Sequence, residues 1–61
     1  MKYKLYSADL ASRLYLRSPY LEGYGTLDEL HEKSAWRFMP SVITNEDGNV
    51  VERNRLFEES Q

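Results

Sequence analysis

The chain reads as a small α+β domain in ββαββ order, with one helix packed on an antiparallel sheet and a C-terminal β-hairpin. Three features predict it. Residues 2–6 alternate in polarity with a strand's period. Thr26-Leu27-Asp28-Glu29 opens an amphipathic helix, and Asp47-Gly48 stands between the apolar pairs Val42-Ile43 and Val50-Val51 as a hairpin tip does.

In the first strand, Lys2-Tyr3-Lys4-Leu5-Tyr6, the alternation puts Tyr3 and Leu5 on one face and the lysines on the other. Residues 8–17 admit two readings. Arg13-Leu14-Tyr15-Leu16-Arg17 alternates as a strand, whereas Leu10, Leu14 and Arg17 fit helical spacing with Ser7 as a cap. The strand hides both Leu14 and Leu16, while the helix leaves Leu16 off its apolar stripe, so the strand is preferred. Ser18-Pro19 ends this element, because Pro19 has no N–H to donate and biases its predecessor away from helix. Glu22-Gly23-Tyr24-Gly25 then reads as a loop.

The Thr26 hydroxyl can accept from the Glu29 amide, a capping box, and Asp28 and Glu29 in the first turn suit the helix dipole. Stepping about 100° per residue puts Leu27, Leu30, His31, Ser34 and Phe38 on one side and Trp36 on the other. A helix through Phe38 would therefore turn its tryptophan to solvent. The economical alternative stops the helix near Ser34-Ala35 and starts a strand in which Trp36, Phe38 and Val42 share the inner face. A three-residue loop Glu46-Asp47-Gly48 with Gly48 left-handed would pair Thr44 with Val50 and Ile43 with Val51, apolar against apolar. A two-residue turn at Asp47-Gly48 would instead oppose Ile43 to Glu52. Pro40 marks an edge or a bulge in this strand, and residues 58–61 read as a frayed tail.

Composition bounds what such a chain can do. At 61 residues it forms one domain with a single small core, since a domain of this size buries only about 60% of its unfolded surface. Without cysteine it has neither disulfides nor thiolate metal ligands, which fits a reducing, cytoplasmic setting. No apolar run approaches the roughly 20 residues of a membrane helix, so no membrane association is expected. A formal charge of −2 offers no general attraction to a phosphate backbone.

Catalytic chemistry is sparse, and neither an enzyme nor a cofactor is expected. His31 is the one histidine and has no cysteine or second histidine to share a metal, so it reads as a boundary residue of the helix. The acid pairs Asp28/Glu32 and Glu58/Glu59 lack the apolar surroundings that tune an acid–base pair. Gly23-Tyr24-Gly25 before a helix lacks the full phosphate-binding glycine pattern, and Asp28 and Glu29 would repel the anion.

One constellation points to binding. With Trp36, Phe38, Val42, Val50 and Leu56 inward, the opposite face would show Arg37, Met39, Ile43, Val51, Arg53, Arg55 and Phe57. Tyr15, with Arg13 and Arg17, would extend it if the second strand joins the sheet. Arginines interleaved with aromatics and methionine have the composition of a recognition surface. The plainer reading is that the arginines solubilise an open sheet face with their stems over apolar atoms.

The order Thr26-Leu27-Asp28-Glu29, Trp36, Pro40, then Arg53 and Arg55 resembles short bacteriophage inhibitors of bacterial RNA polymerase, across about half of the chain. That resemblance implies a strand-rich α+β fold and a host-takeover role in the bacterial cytoplasm, with Arg53 and Arg55 as contact residues. The Asp47-Gly48 hairpin departs from the pattern. The functional expectation is a small non-catalytic protein that binds and modulates or inhibits a larger bacterial protein through its Arg/aromatic face. A homodimer is compatible with exposed strand edges. Two other readings stand beside it. One is a winged-helix-like nucleic-acid binder, disfavoured by the net charge and by acids on its recognition helix. The other is an acidic DNA mimic built on Asp28, Glu29, Glu32, Glu58 and Glu59.

Overall fold

The computed structural model describes residues 2–8 and 16–59. Within them the order is β1 (Tyr3–Ser7), a 3-10 turn (Ser18–Tyr20), β2 (Leu21–Gly25), α1 (Leu27–Ala35), β3 (Ser41–Thr44), β4 (Val50–Arg53) and α2 (Arg55–Glu59). The four strands form one antiparallel-paired sheet in the order β2-β1-β3-β4. The expected α+β class and ββαββ order hold.

β1 forms where the alternation places it. Leu5 is buried with Leu30 and Ile43, and Tyr3 and Leu27 pack against that cluster. Lys4 lies on the other face, its Nζ 5.7 Å from the ring centroid of Tyr24, its directly paired neighbour on β2. The second strand is displaced from its expected place. Leu16 and Arg17 lie in a bend, residues 9–15 of the expected strand lie outside the described residues, and β2 is instead the segment read as a loop. Glycines misled that reading, because in β2 Gly23 serves close approach: a Cβ there would lie 3.3 Å from Lys33 Nζ and 3.5 Å from a Leu30 methyl. Gly23 thus lets α1 lie close over this edge, where Lys33 Nζ donates to the Glu22 carbonyl at 3.3 Å.

α1 follows from connectivity. Both β2 and β3 pair antiparallel to β1 from opposite sides, so they run parallel to each other, and the chain between them must cross the sheet. Thr26, in extended conformation, caps the helix by accepting from the Glu29 amide at 3.2 Å. Leu30 and Ser34 face the sheet as predicted, whereas His31 lies at the exposed flank. The helix ends at Ala35 because Pro40 lies ahead: its ring would clash with the carbonyl four residues back, and Met39 before it is biased to extended backbone.

The hairpin combines both expected registers. Gly48, at φ 85°, closes the loop by donating its N–H to Asn45 O at 3.1 Å, and Asn45 N donates to Asn49 O at 3.0 Å. Asn45 Oδ1 accepts from the amides of Asp47 and Asn49 at 2.9 and 3.0 Å. This is the three-residue loop with a left-handed glycine, and Thr44 pairs with Val50 as expected. Between Ile43 and Thr44 the register then shifts, so that Ile43 faces Glu52 rather than Val51. The extra residue on β4 is Val51, a bulge on an edge strand.

Three expectations about side chains are corrected here. Residues 36–40 are not strand, and Trp36 and Phe38 stand in solvent rather than in the core. Ile43, expected outward, belongs to the core under α1; β3 is buried along its whole length, Val42 included. Finally, β4 stops at Arg53 and the chain turns into α2, so Phe57 is buried at 2% exposure instead of displayed, and Glu58 and Glu59 are helical rather than frayed.

Candidate binding site

Asn54 explains why the chain turns after Arg53. Its Oδ1 accepts from the Phe57 amide at 2.9 Å, the geometry of a helix N-cap, and its main-chain O accepts from the Glu58 amide at 3.2 Å. The same Oδ1 accepts from Ser41 N at 3.0 Å, while Asn54 N donates to Ser41 O at 3.0 Å. Its Nδ2 donates to the carbonyls of Met39 at 2.8 Å and Ser34 at 3.4 Å. A single buried side chain therefore joins the end of α1, the 36–40 loop, the start of β3 and the start of α2.

Arg37 pins the same loop from its other side. Its Nε donates to Ser41 Oγ at 2.9 Å, its Nη2 approaches Met39 Sδ at 2.8 Å, and Nη2 lies 3.4 Å from Glu22 Oε1 on β2. Ser41 Oγ in turn donates to the Met39 carbonyl at 3.2 Å. Arg37 is thus spent on holding the loop rather than turned outward as the alternation predicted.

With Arg37 and the Met39 backbone held inward, the alternate side chains go out. Trp36 is 79% exposed and Phe38 is 100% exposed. Together with Arg37 and Met39 they line an apolar recess of about 230 Å³. Arg37 is also shared with a second, larger cleft of about 420 Å³ between the end of α1 and the β4–α2 corner, whose walls include His31, Glu52, Arg53 and Arg55. Across this cleft His31 Nδ1 and Glu52 Oε2 stand 2.7 Å apart. The Arg53 guanidinium lies 5.9 Å from the Phe57 ring centroid, and the Arg55 side chain, 81% exposed, reaches Glu59 only at 3.9 Å.

The expected site residues therefore divide. Arg37, Arg53 and Arg55 all contribute to the lining of the cleft and Met39 lies beside it, but the Arg53 guanidinium lies over the Phe57 ring, on the sheet face of its paired neighbour Val42 rather than the face under α1. Arg17 is exposed in the bend before the 3-10 turn and is not among the residues lining the cleft, and Tyr15 lies outside the described residues. Sequence reasoning missed Trp36 and Phe38 as surface residues and Asn54 as the organiser. The Asn54 signal was present, since asparagine before Arg55-Leu56-Phe57-Glu58 is a helix start. No protein-family model, curated protein or solved structure matches the chain. Among the described residues no helix is long and apolar enough to cross a membrane.

Proposed function

We propose that this chain is a small protein-binding protein that acts by docking on a larger bacterial protein and modulating or inhibiting it, with no chemistry of its own. The observation that carries the reading is the pair Trp36 and Phe38, both in solvent on a loop whose backbone is fixed from inside by Asn54 and Arg37. Leaving two large aromatic rings in water forgoes roughly 1.5–3 kcal/mol each, which a chain with so small a core could have used for folding. A rigid, aromatic loop beside arginines is the composition of a binding hot spot, and prior fixing of the backbone lowers the entropy cost of association.

The resemblance carried by residues 26–29, Trp36, Pro40, Arg53 and Arg55 makes bacterial RNA polymerase the first partner to try, with the chain as a phage-type inhibitor. The experiment immobilises the chain and measures capture of purified polymerase and of proteins from bacterial lysate, using Trp36→Ser and Phe38→Ser beside the parent. Both variants should fold as the parent does, judged by circular dichroism, and should lose the captured protein. Capture that survives both substitutions refutes the reading.

A further inference from the structure

We infer that Met39 is an oxidation site built into the 36–40 loop: a peroxide converts its thioether to the sulfoxide on the side of sulfur that Arg37 leaves open. Resting on the docking reading above, the polar product then switches the apolar recess off. The chain has no cysteine, so its sulfur redox chemistry falls to two methionines. Met39 is 44% exposed and lines the recess with Trp36 and Phe38, within reach of a dissolved oxidant. Unlike an ordinary surface methionine, it is held at both ends. Its carbonyl accepts from Asn54 Nδ2 at 2.8 Å and from Ser41 Oγ at 3.2 Å, and its Sδ accepts from Arg37 Nη2 at 2.8 Å. The Arg37 side chain is itself only 15% exposed and tied to Ser41 Oγ and Glu22, so its guanidinium stays over one lone pair of the sulfur.

The oxygen is delivered to the other lone pair. An S–O bond forms to one peroxide oxygen, the O–O bond breaks, and the proton on the transferred oxygen passes to the leaving hydroxide, which departs as water. Sulfur gives up two electrons and the peroxide receives them. Methionine sulfoxide is chiral at sulfur, so attack from one side makes one epimer in excess. With Arg37 on the shielded side, the new oxygen cannot turn to it without breaking the existing contact. The sulfoxide dipole is therefore left to the recess, where an apolar side chain of a partner would have to desolvate it. The change is reversible, because sulfoxide reductases, one for each epimer, restore the thioether.

The test treats the folded full chain with hydrogen peroxide and follows Met39 by peptide mass spectrometry, which separates it from Met1 by position. Treating the product with each epimer-specific reductase then counts the two epimers. One should exceed the other about threefold or more, the cost of parting one hydrogen bond, and the excess should vanish in Arg37→Gln. The parent oxidised in urea, which should also give the epimers equally, covers the case in which Arg37→Gln fails to fold. Capture of purified bacterial RNA polymerase and of lysate proteins by the immobilised chain should fall about tenfold on oxidation and return after reductase treatment. Capture by Met39→Leu, whatever its level, should not change with peroxide. Epimers formed equally by the folded parent, or an excess that survives Arg37→Gln and urea, overturn the oxidation site. An epimer excess with unchanged capture overturns the switch and leaves the docking loop standing. An untreated chain that captures nothing refutes the docking reading and the switch with it, whereas the oxidation site is decided by the epimers without any partner.

Discussion

Replacing Asn54 with alanine removes a side chain that is only 7% exposed and makes four hydrogen bonds, three of them at 2.8–3.0 Å and one at 3.4 Å. Counting the three short ones at about 1 kcal/mol each puts the loss near 3 kcal/mol, with the helix-cap contribution of α2 included in that sum. A chain of this length has roughly 3–9 kcal/mol of stability in total, so the variant should lose a third or more of it. In a thermal melt followed by far-ultraviolet circular dichroism, the midpoint should drop by roughly 12–24 °C. Tryptophan emission is a poor probe of this transition, because Trp36 is already in water in the folded state. Asn54→Asp supplies an internal control. It keeps the acceptor for the amides of Ser41 and Phe57 but turns a carboxylate toward the carbonyls of Met39 and Ser34, so it should fall between alanine and the parent below the carboxylate's titration and lose that advantage above it. An alanine variant that loses less than about 1 kcal/mol would refute the reasoning, since the four joined elements would then be held by something other than this residue.

Three further outcomes follow from the same structure. Gly48→Ala should cost about 1 kcal/mol in urea unfolding through backbone strain alone, because φ is 85° and a Cβ there meets nothing within 4 Å; Gly48→Asn should cost less. Thr44→Val should be neutral or stabilising by up to about 1 kcal/mol, because Thr44 Oγ1 is buried with no hydrogen-bond partner among the described residues and a methyl in its place carries no desolvation cost. Trp36 emission in the native protein should be red-shifted and quenched by acrylamide nearly as strongly as in urea; a blue-shifted, protected spectrum would contradict the solvent-exposed loop.

How much of this could be read beforehand depended on whether the signal was local. The Thr26 cap, the Leu5 face of β1 and the left-handed Gly48 were all legible, because each is decided within a few residues by backbone sterics and by groups that satisfy their own neighbours. The Tyr24 strand was not, since Gly23 and Gly25 speak for a loop until α1 is known to need the missing side chain. Part of the candidate site was readable by composition: Arg37, Arg53 and Arg55 all line one cleft, though not as successive outward positions of a strand. Phe57 was assigned to the wrong side because alternation was carried past Arg53, through the point where Asn54 starts a helix.

The sequence alone determined the α+β class, the start and end of the main helix and the conformation of the hairpin tip. Tertiary structure decided where the second strand lies, that Ile43 rather than Trp36 fills the core, and that Trp36 and Phe38 face water. The physical reason is that a short loop between a helix and a Pro-blocked strand has no period of its own. Which side its residues take was set by Asn54, which reaches it from a position distant in sequence, and by Arg37 within it, which is tied to Ser41 and across the sheet to Glu22.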